Sequence, residues 1–562
     1  MDLSKFKAKI VYIEDGKKVV TDGNDFISIS KVEFENGLLK AYINAKKPVE
    51  MFSVSLFYDK TLKDDELFFI NGYQSWSYSK EYGKNDVMKG LSWICDKWSY
   101  ARKLTACYGD YDFTTYSKEL FHSFTYTYFR DGENFDLYGT LSDRNGYTIF
   151  YLDKVNGIFE IQKELEGVTL EGESLLFEIY NVQGGYDEVF DKYFEVYPAK
   201  KTNRVKHLAG YTSWYNYFQN IDEKTMFRDL KGMYDKCGDK AQIFQIDDGF
   251  ESMVGDWLVT DPVKFPNGMR PIVDEIHKDG YLAGLWLAPF AAQFKAKVVE
   301  EHPDWFIRKP DGKMIYGGFA WMGFYVLDIE KQEVRDYIKK CFDNVFDNWN
   351  FDMVKLDFLY SACIIPRNGK SRGQLMCEAM DFLRECCRDK IILGCGAPLG
   401  PSWGIVDACR ISCDAELQFK DKFYVSLTNR EILSTQSSIT NTIARRHLNG
   451  RIFANDPDVF FLRYDGYKPV KYTMEQRKLH SKVNRMFGDI LFVSDDISAY
   501  DDEQLDILHK AYKPFEGKIK TISYEGATKT YTVEYTEDGN DKKLVFSMIT
   551  GEFTDYNNGS DK

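Results

Sequence analysis

Five short apolar runs in the middle of this chain each end on side chains able to do chemistry: Thr212-Ser213-Trp214-Tyr215, Gln245-Ile246-Asp247-Asp248-Gly249, Leu285-Trp286-Leu287-Ala288-Pro289, Lys355-Leu356-Asp357-Phe358 and Arg410-Ile411-Ser412-Cys413-Asp414. They offer carboxylates, two cations and aromatic walls. Taken singly, an Asp after a strand is more often a turn former or a helix cap. Asp357 and Asp414, however, lie 57 positions apart, and a fold that brings them to one rim supplies a nucleophile and an acid/base for glycosyl transfer. Lys355, two residues before Asp357, points the same way from a strand. Its charge is expected to keep Asp357 ionised, while a less solvated Asp414 holds its proton.

The Asp247-Asp248 pair invites a metal reading, because carboxylates coordinate hard cations. No EF-hand spacing follows it, and none of the seven histidines falls within the strand-end motifs, so no catalytic metal is expected. Adjacent carboxylates can instead grip sugar hydroxyls, since ionised acceptors make strong hydrogen bonds; the plainer alternative is that Asp248 caps the next helix. A Trp on a β segment is more often core than a sugar platform. Trp286 nevertheless sits beside the expected rim, and Trp76 ends a turn-like segment, Asn71-Gly72-Tyr73-Gln74-Ser75-Trp76, placed to reach across from an N-terminal domain.

Positioning these groups requires parallel strands. Eight apolar runs qualify: Leu208–Trp214, Gln242–Asp248, Leu282–Phe290, Asp352–Phe358, Lys390–Pro398, Asp407–Ala415, Arg451–Asp458 and Gly488–Asp496. Helical stretches separate them, namely Asp222–Cys237, Arg270–Lys278, Lys331–Trp349, Arg372–Arg388, Asn429–His447 and Thr473–Met486. Alternating βα units imply an α/β fold with a central (β/α)8 TIM barrel, whose active sites collect at the C-terminal strand ends. Before it, residues 1–196 alternate short β-favouring runs with turns and read as a β-sandwich. A polar hinge at Tyr197–Arg204 opens the barrel domain, 197–512, and alternating runs within 513–562 form a small C-terminal β domain.

Composition narrows the function classes. Across 562 residues the net charge is −14, which disfavours nucleic acid and acidic membrane surfaces as partners. The N-terminus lacks an apolar signal core and no apolar run is long enough to span a bilayer, so a cytoplasmic location is expected. Eleven cysteines, an odd number without a C-x-x-C pair, read as buried thiols.

These segments resemble glycoside hydrolase family 36, particularly its compact bacterial α-galactosidases. The likeness runs from Gly210-Tyr211-Thr212-Ser213-Trp214-Tyr215 to Ser494-Asp495-Asp496 through Phe244–Asp248, Gly255–Thr260, Glu301–Trp305, Leu393–Leu399 and Asn455–Asp458, with a thinner N-terminal match at Gln74-Ser75-Trp76. The resemblance implies a retaining exo-glycosidase that needs no cofactor and acts on α-linked galactose in an oligosaccharide or glycoconjugate. By motif position it makes Asp357 the nucleophile and Asp414 the acid/base. Asp247 and Asp248 would hold galactose hydroxyls, Lys355 and Arg410 further hydroxyls, and Trp286, Tyr215 and Trp76 apolar walls. One departure stands out: Ala415-Glu416-Leu417-Gln418-Phe419 follows Asp414 where the resemblance leads one to expect a Trp-containing turn. That keeps an α-N-acetylgalactosaminidase open, beside a transglycosylase using the same covalent intermediate and a carbohydrate-binding protein without turnover.

Overall fold

In the computed structural model, residues 1–202, 204–423, 425 and 428–557 are described. Asn203, within the expected hinge, and 558–562, at the end of the expected C-terminal domain, lie outside the described residues. All eight expected barrel strands form: β1 (Leu208–Thr212), β2 (Ile243–Ile246), β3 (Leu282–Leu287), β4 (Met353–Leu356), β5 (Ile391–Gly394), β6 (Ala408–Arg410), β7 (Ala454–Asp456) and β8 (Ile490–Val493). They pair in parallel in the order β7-β6-β5-β4-β3-β2-β1-β8. The β7–β8 seam is bridged by Asp489 N–H on the Asn455 carbonyl (3.1 Å) and Phe460 N–H on the Phe492 carbonyl (3.2 Å), which nearly closes the barrel.

The intervening helices follow from apolar spacing and capping. Glu223–Cys237 buries Met226, Leu230, Met233 and Cys237 on one stripe, and Asp222 caps it by accepting from Thr225 N–H (2.7 Å). The stretch expected to be helical from Asn429 becomes an α-helix only over Thr435–Ala444. Ser434 is its N-cap, while the preceding residues are drawn to the N-terminal domain: Arg430 pairs with Asp110, and Glu431 accepts from Ser77 Oγ (2.7 Å) and Tyr111 OH (2.8 Å).

The N-terminal strands make one twelve-stranded antiparallel sheet folded upon itself. Strand Leu38–Asp59 does the folding. Its first half pairs with Ile27–Glu35 and Thr169–Gly184, and its second half pairs with Lys7–Glu14 and Ile158–Glu164. Inward-facing Leu39, Ile43, Leu56, Phe68, Phe159 and Phe177 fill the sandwich between the layers. At the other end, four antiparallel strands from Lys518 to Asn557 form the C-terminal sheet.

The turn carrying Trp76 is clamped to the barrel. Ser75 N–H donates to the Ala397 carbonyl (2.9 Å), and Ala397 N–H returns a bond to Ser75 Oγ (3.2 Å). Arg445, fully buried, donates to the carbonyls of Gly72 (3.3 Å), Gln74 (3.2 Å), Ser75 (2.6 Å) and Ile411 (3.0 Å) and to Asn71 Oδ1 (3.0 Å). Burial pulls this guanidinium down to about 10, so it remains a cation at neutral pH. Arg445→Ala strands buried acceptors on both sides of the interface, and we expect it to lower unfolding free energy by about 3–5 kcal/mol. Urea titration checks this; a loss within about 0.5 kcal/mol would show the clamp to be dispensable.

Candidate active site

The nine residues singled out from the sequence fall into two contact networks at the C-terminal end of the barrel, one around Asp247 and Asp357 and one around Arg410, which act on each other through their charges. On the β2–β4 side, Lys355 Nζ lies 2.8 Å from Asp247 Oδ2, which also accepts from Gln245 Nε2 (2.8 Å) and Thr212 Oγ1 (3.4 Å). Asp247 Oδ1 takes the N–H of Asp248 (2.9 Å). The main ionic contact of Lys355 is therefore with Asp247, whereas the spacing alone had directed it to Asp357. Its charge still acts on Asp357 and favours ionisation there, but burial is the larger influence and pushes the Asp357 carboxyl above the usual range.

Asp357 follows β4 directly and is buried. Its Oδ2 accepts the indole N–H of Trp286 (3.1 Å), its Oδ1 the N–H of Phe358 (2.8 Å), and the Cys395 thiol hydrogen-bonds to it. Burial holds that thiol well above its ordinary range, so it is a donor and not a thiolate. Trp286 is 2 % exposed and packs edge-to-face with Trp257 and Trp321. Its polar edge on Asp357 is thus the part that reaches the site, in place of the broad apolar wall expected. Trp76 does cross from the N-terminal domain: its indole N–H meets Cys395 Sγ (3.4 Å), and its ring packs against Phe358 and Tyr360. Gly396 permits this approach, because at φ +56° an added Cβ would lie 3.0 Å from the Trp76 ring and from Phe358 N.

Asp414 lies four residues beyond β6, in the following loop, with its side chain 38 % exposed. The expectation of a less solvated Asp414 is therefore reversed: β6 ends at Arg410, and the chain has left the dry strand ends before Asp414. The Asp414 charge is nevertheless felt at Asp357, as like charges in one mouth require. Arg410 binds Asp414 Oδ1 through Nη1 (2.7 Å), Asp456 Oδ2 through Nε (3.3 Å), and faces Asp458 Oδ1 through Nη2 (2.7 Å). Tyr215 belongs to the short helix Trp214–Tyr217 after β1, and its hydroxyl donates to Asp458 Oδ2, so here too a polar tip enters the network.

Sequence reasoning gave no role to several residues that touch this set, among them Asp456, Cys395, Asp458, Glu251, Gln219 and Trp321. Cys395 stands at the end of β5, where the strand-end rule would have found it, and Asp458 closes the quoted Asn455–Asp458 motif. Glu251 follows Asp248 by three residues. Gln219 and Trp321 gave no signal; Trp321 Nε1–H donates to Asp248 Oδ2 (2.7 Å) from the β3–β4 connection, and Gln219 Nε2–H donates to Oδ1 (3.0 Å). The Ala415–Phe419 turn leaves the mouth at once: Ala415 N–H binds Asp458 Oδ2 (2.8 Å), and Phe419 is buried against Tyr472 and beside Gly551 of the C-terminal sheet. Among the described residues, no group of three or more His, Cys, Asp or Glu side chains is arranged to hold a metal ion, and no helix is long and apolar enough to cross a membrane.

Residues 213–373 match the Melibiase family. Over that stretch the chain is similar to the melibiases. An α-galactosidase of Lactobacillus acidophilus is 32% identical over 136 residues, covering 23% of this chain and 18% of its own length. Another from Pediococcus pentosaceus is 28% identical over 173 residues, covering 28% of this chain and 23% of its own. The matched stretch thus spans about a fifth of those relatives. Whole-chain likeness appears among solved structures. The Thermus thermophilus α-galactosidase TtGalA, in complex with p-nitrophenyl α-D-galactopyranoside, superposes with TM-score 0.72 at 22% identity over 94% of this chain and 98% of that one. The family 36 α-galactosidase AgaA of Geobacillus stearothermophilus gives 0.63 at 11% identity over 96% and 81%. These matches bear out the family resemblance and the barrel fold with a sheet domain at either end.

One guanidinium facing three carboxylates leaves a deficit, and it falls on fully buried Asp458, which burial pushes up to about 7 despite the pull of Arg410. The folded chain therefore binds a proton that an unfolded carboxylate releases near pH ~4, so this contribution to stability is full below ~4 and is lost as pH rises through about 7. Asp458→Asn should flatten the change in urea midpoint over that window. An unchanged slope would place the titration elsewhere.

Proposed function

We propose that the chain is a retaining exo-glycosidase that hydrolyses terminal α-galactosides, with residues 197–512 as the catalytic barrel, 1–196 supplying Trp76, and 513–562 as a small flanking domain. The reading is supported by Asp357, held by Trp286 and Cys395, lying close enough to Asp414, held by Arg410, for the two charges to act on each other. Asp357 attacks the anomeric carbon while Asp414 protonates the departing oxygen. Asp414 then activates water, and the second inversion returns the α configuration. Lys355 and the donors on Asp357 oppose the effect of burial and favour the ionised nucleophile. Asp414, open to solvent, can exchange its proton between the two steps. Asp247, Asp248, Lys355 and Arg410 hold sugar hydroxyls, with Trp76, Trp286 and Tyr215 around them. Relatives bearing α-galactosidase names, and solved neighbours in complex with aryl galactoside and stachyose, support an α-galactoside substrate in an oligosaccharide or glycoconjugate. No group in the mouth calls for an organic cofactor or a nucleic-acid or membrane partner. Buried, unbridged thiols such as adjacent Cys386 and Cys387 suit a cytoplasmic setting.

Asp357→Ala should abolish glycosyl-enzyme formation, and azide should restore a β-glycosyl azide from an activated substrate by single inversion. Asp414→Ala should lose most activity on poor leaving groups yet still form the intermediate from an aryl glycoside, which needs little protonation. Detection by NMR of β-galactose as the first product, or a labelled intermediate on another residue, would sink the double displacement.

A second reading concerns the sugar's 2-position. Small Ala415 stands beside Asp414, while Phe419 is buried against Tyr472, so no Trp of the expected turn stands next to Asp414. An α-N-acetylgalactosaminide fits this reading, and one relative bears a galactosaminidase name. Parallel kcat/KM values on the p-nitrophenyl α-galactoside and its N-acetylgalactosamine analogue decide between them, and a turn-swapped variant that leaves their ratio unchanged removes the turn from specificity. Transfer to sugar in place of water would appear in the same assays as oligosaccharide product.

A further inference from the structure

Behind the mouth, Asp248 meets a second carboxyl. The chain reverses at Gly249, whose φ of +121° and contact with the Gln219 backbone, 2.7 Å from where a Cβ would stand, admit only glycine. The reversal folds Glu251 back onto Asp248, and the two carboxyl groups hydrogen-bond to each other. Asp248 is 2 % and Glu251 4 % exposed. Two carboxylates cannot make such a bond without a proton between them, and two bare charges cannot share a site this dry.

The surroundings decide which group carries the proton. Asp248 accepts the indole N–H of Trp321 (2.7 Å) and the amide of Gln219 (3.0 Å), both of which stabilise its charge. Glu251 receives backbone N–H groups alone, that of Gly249 at 3.3 Å and its own, and no side-chain donor stabilises its charge. The charged groups nearby are committed elsewhere: Lys355 to Asp247 (2.8 Å), and Lys264 to the carbonyls of Gln219 (2.9 Å) and Gly249 (3.0 Å). Asp247 adds negative charge beside Asp248. No cation on these elements is aimed at Glu251, so ionising it has nothing to offset the loss of water.

We propose that Glu251 is a positioning residue that stays protonated at neutral pH and donates to Asp248, orienting that carboxylate for the sugar. A carboxylate has about four acceptor directions. Trp321, Gln219 and Glu251 occupy three of them, leaving one for a galactose hydroxyl. Burial, which holds the Glu251 carboxyl well above the usual range, agrees with this assignment. The proposal rests on the reading of the mouth as a galactose site, and its test separates the two.

Galactose binding by calorimetry and carboxyl infrared spectra at neutral pH should be measured for the wild type, Glu251→Gln and Glu251→Ala. Glutamine keeps a donor without a titrating proton, so its Kd should stay within about threefold of wild type, while alanine weakens binding by about tenfold or more. The wild type minus Glu251→Gln spectrum should show the carbonyl stretch of an un-ionised carboxyl. Absence of that band, or a Glu251→Gln variant as weak as Glu251→Ala, overturns the proposal. A wild-type chain that binds no galactose overturns the functional reading, and the infrared difference still decides where the proton sits.

Discussion

The buried ion pair between Lys355 and Asp247 is the contact on which the mouth of this barrel depends. Taking an ammonium and a carboxylate out of water costs several kcal/mol each, and only near-ideal geometry offsets it. The geometry is supplied: 2.8 Å between the charges, with Gln245, the Asp248 N–H and, at 3.4 Å, Thr212 also donating to Asp247. Because Lys355 is on β4 and Asp247 follows β2, the pair spans β3 and fixes the spacing of the strand ends. It also leaves a fixed positive charge beside Asp357, within a site too dry to recruit a mobile ion.

The two halves of the mouth solve the problem of buried charge differently. Around Asp357, the charge of Lys355 is the largest stabilising influence, neutral donors from Trp286 and Cys395 add to it, and burial still wins. Around Asp414, a single guanidinium serves three carboxylates, and burial raises the carboxyl of the most buried of them, Asp458, despite the pull of Arg410. A group in dry surroundings and a group in partly open ones are suited to different steps of a two-step displacement, in which one must act as a nucleophile and the other must exchange protons.

The mouth is also shared between domains. Arg445 ties the Asn71–Trp76 turn to the barrel through backbone carbonyls, which are indifferent to side-chain identity but exacting in geometry. Trp76 then meets Cys395, and Cys395 meets Asp357, so a displacement of the N-terminal sheet reaches Asp357 through two hydrogen bonds.

The alternation of apolar runs with amphipathic stretches determined the barrel, because eight strands separated by helices of that length have few other ways to bury their faces. The same rhythm placed Asp247, Asp357 and Lys355 at strand ends, since a side chain at or just past the last residue of a parallel strand faces the rim. Tertiary structure alone decided the partners. Lys355 chose Asp247 over the nearer-in-sequence Asp357, Trp286 and Tyr215 turned polar edges into the site, and Asp414 stood further into solvent than expected because β6 stops at Arg410. Trp321 and Gln219 reach Asp248 from connections with no pattern of their own, and Glu251 does so through a glycine turn. Periodicity encodes which face a residue occupies, a local property of the backbone; which charge it meets depends on distances across the barrel, set only when every strand is in register.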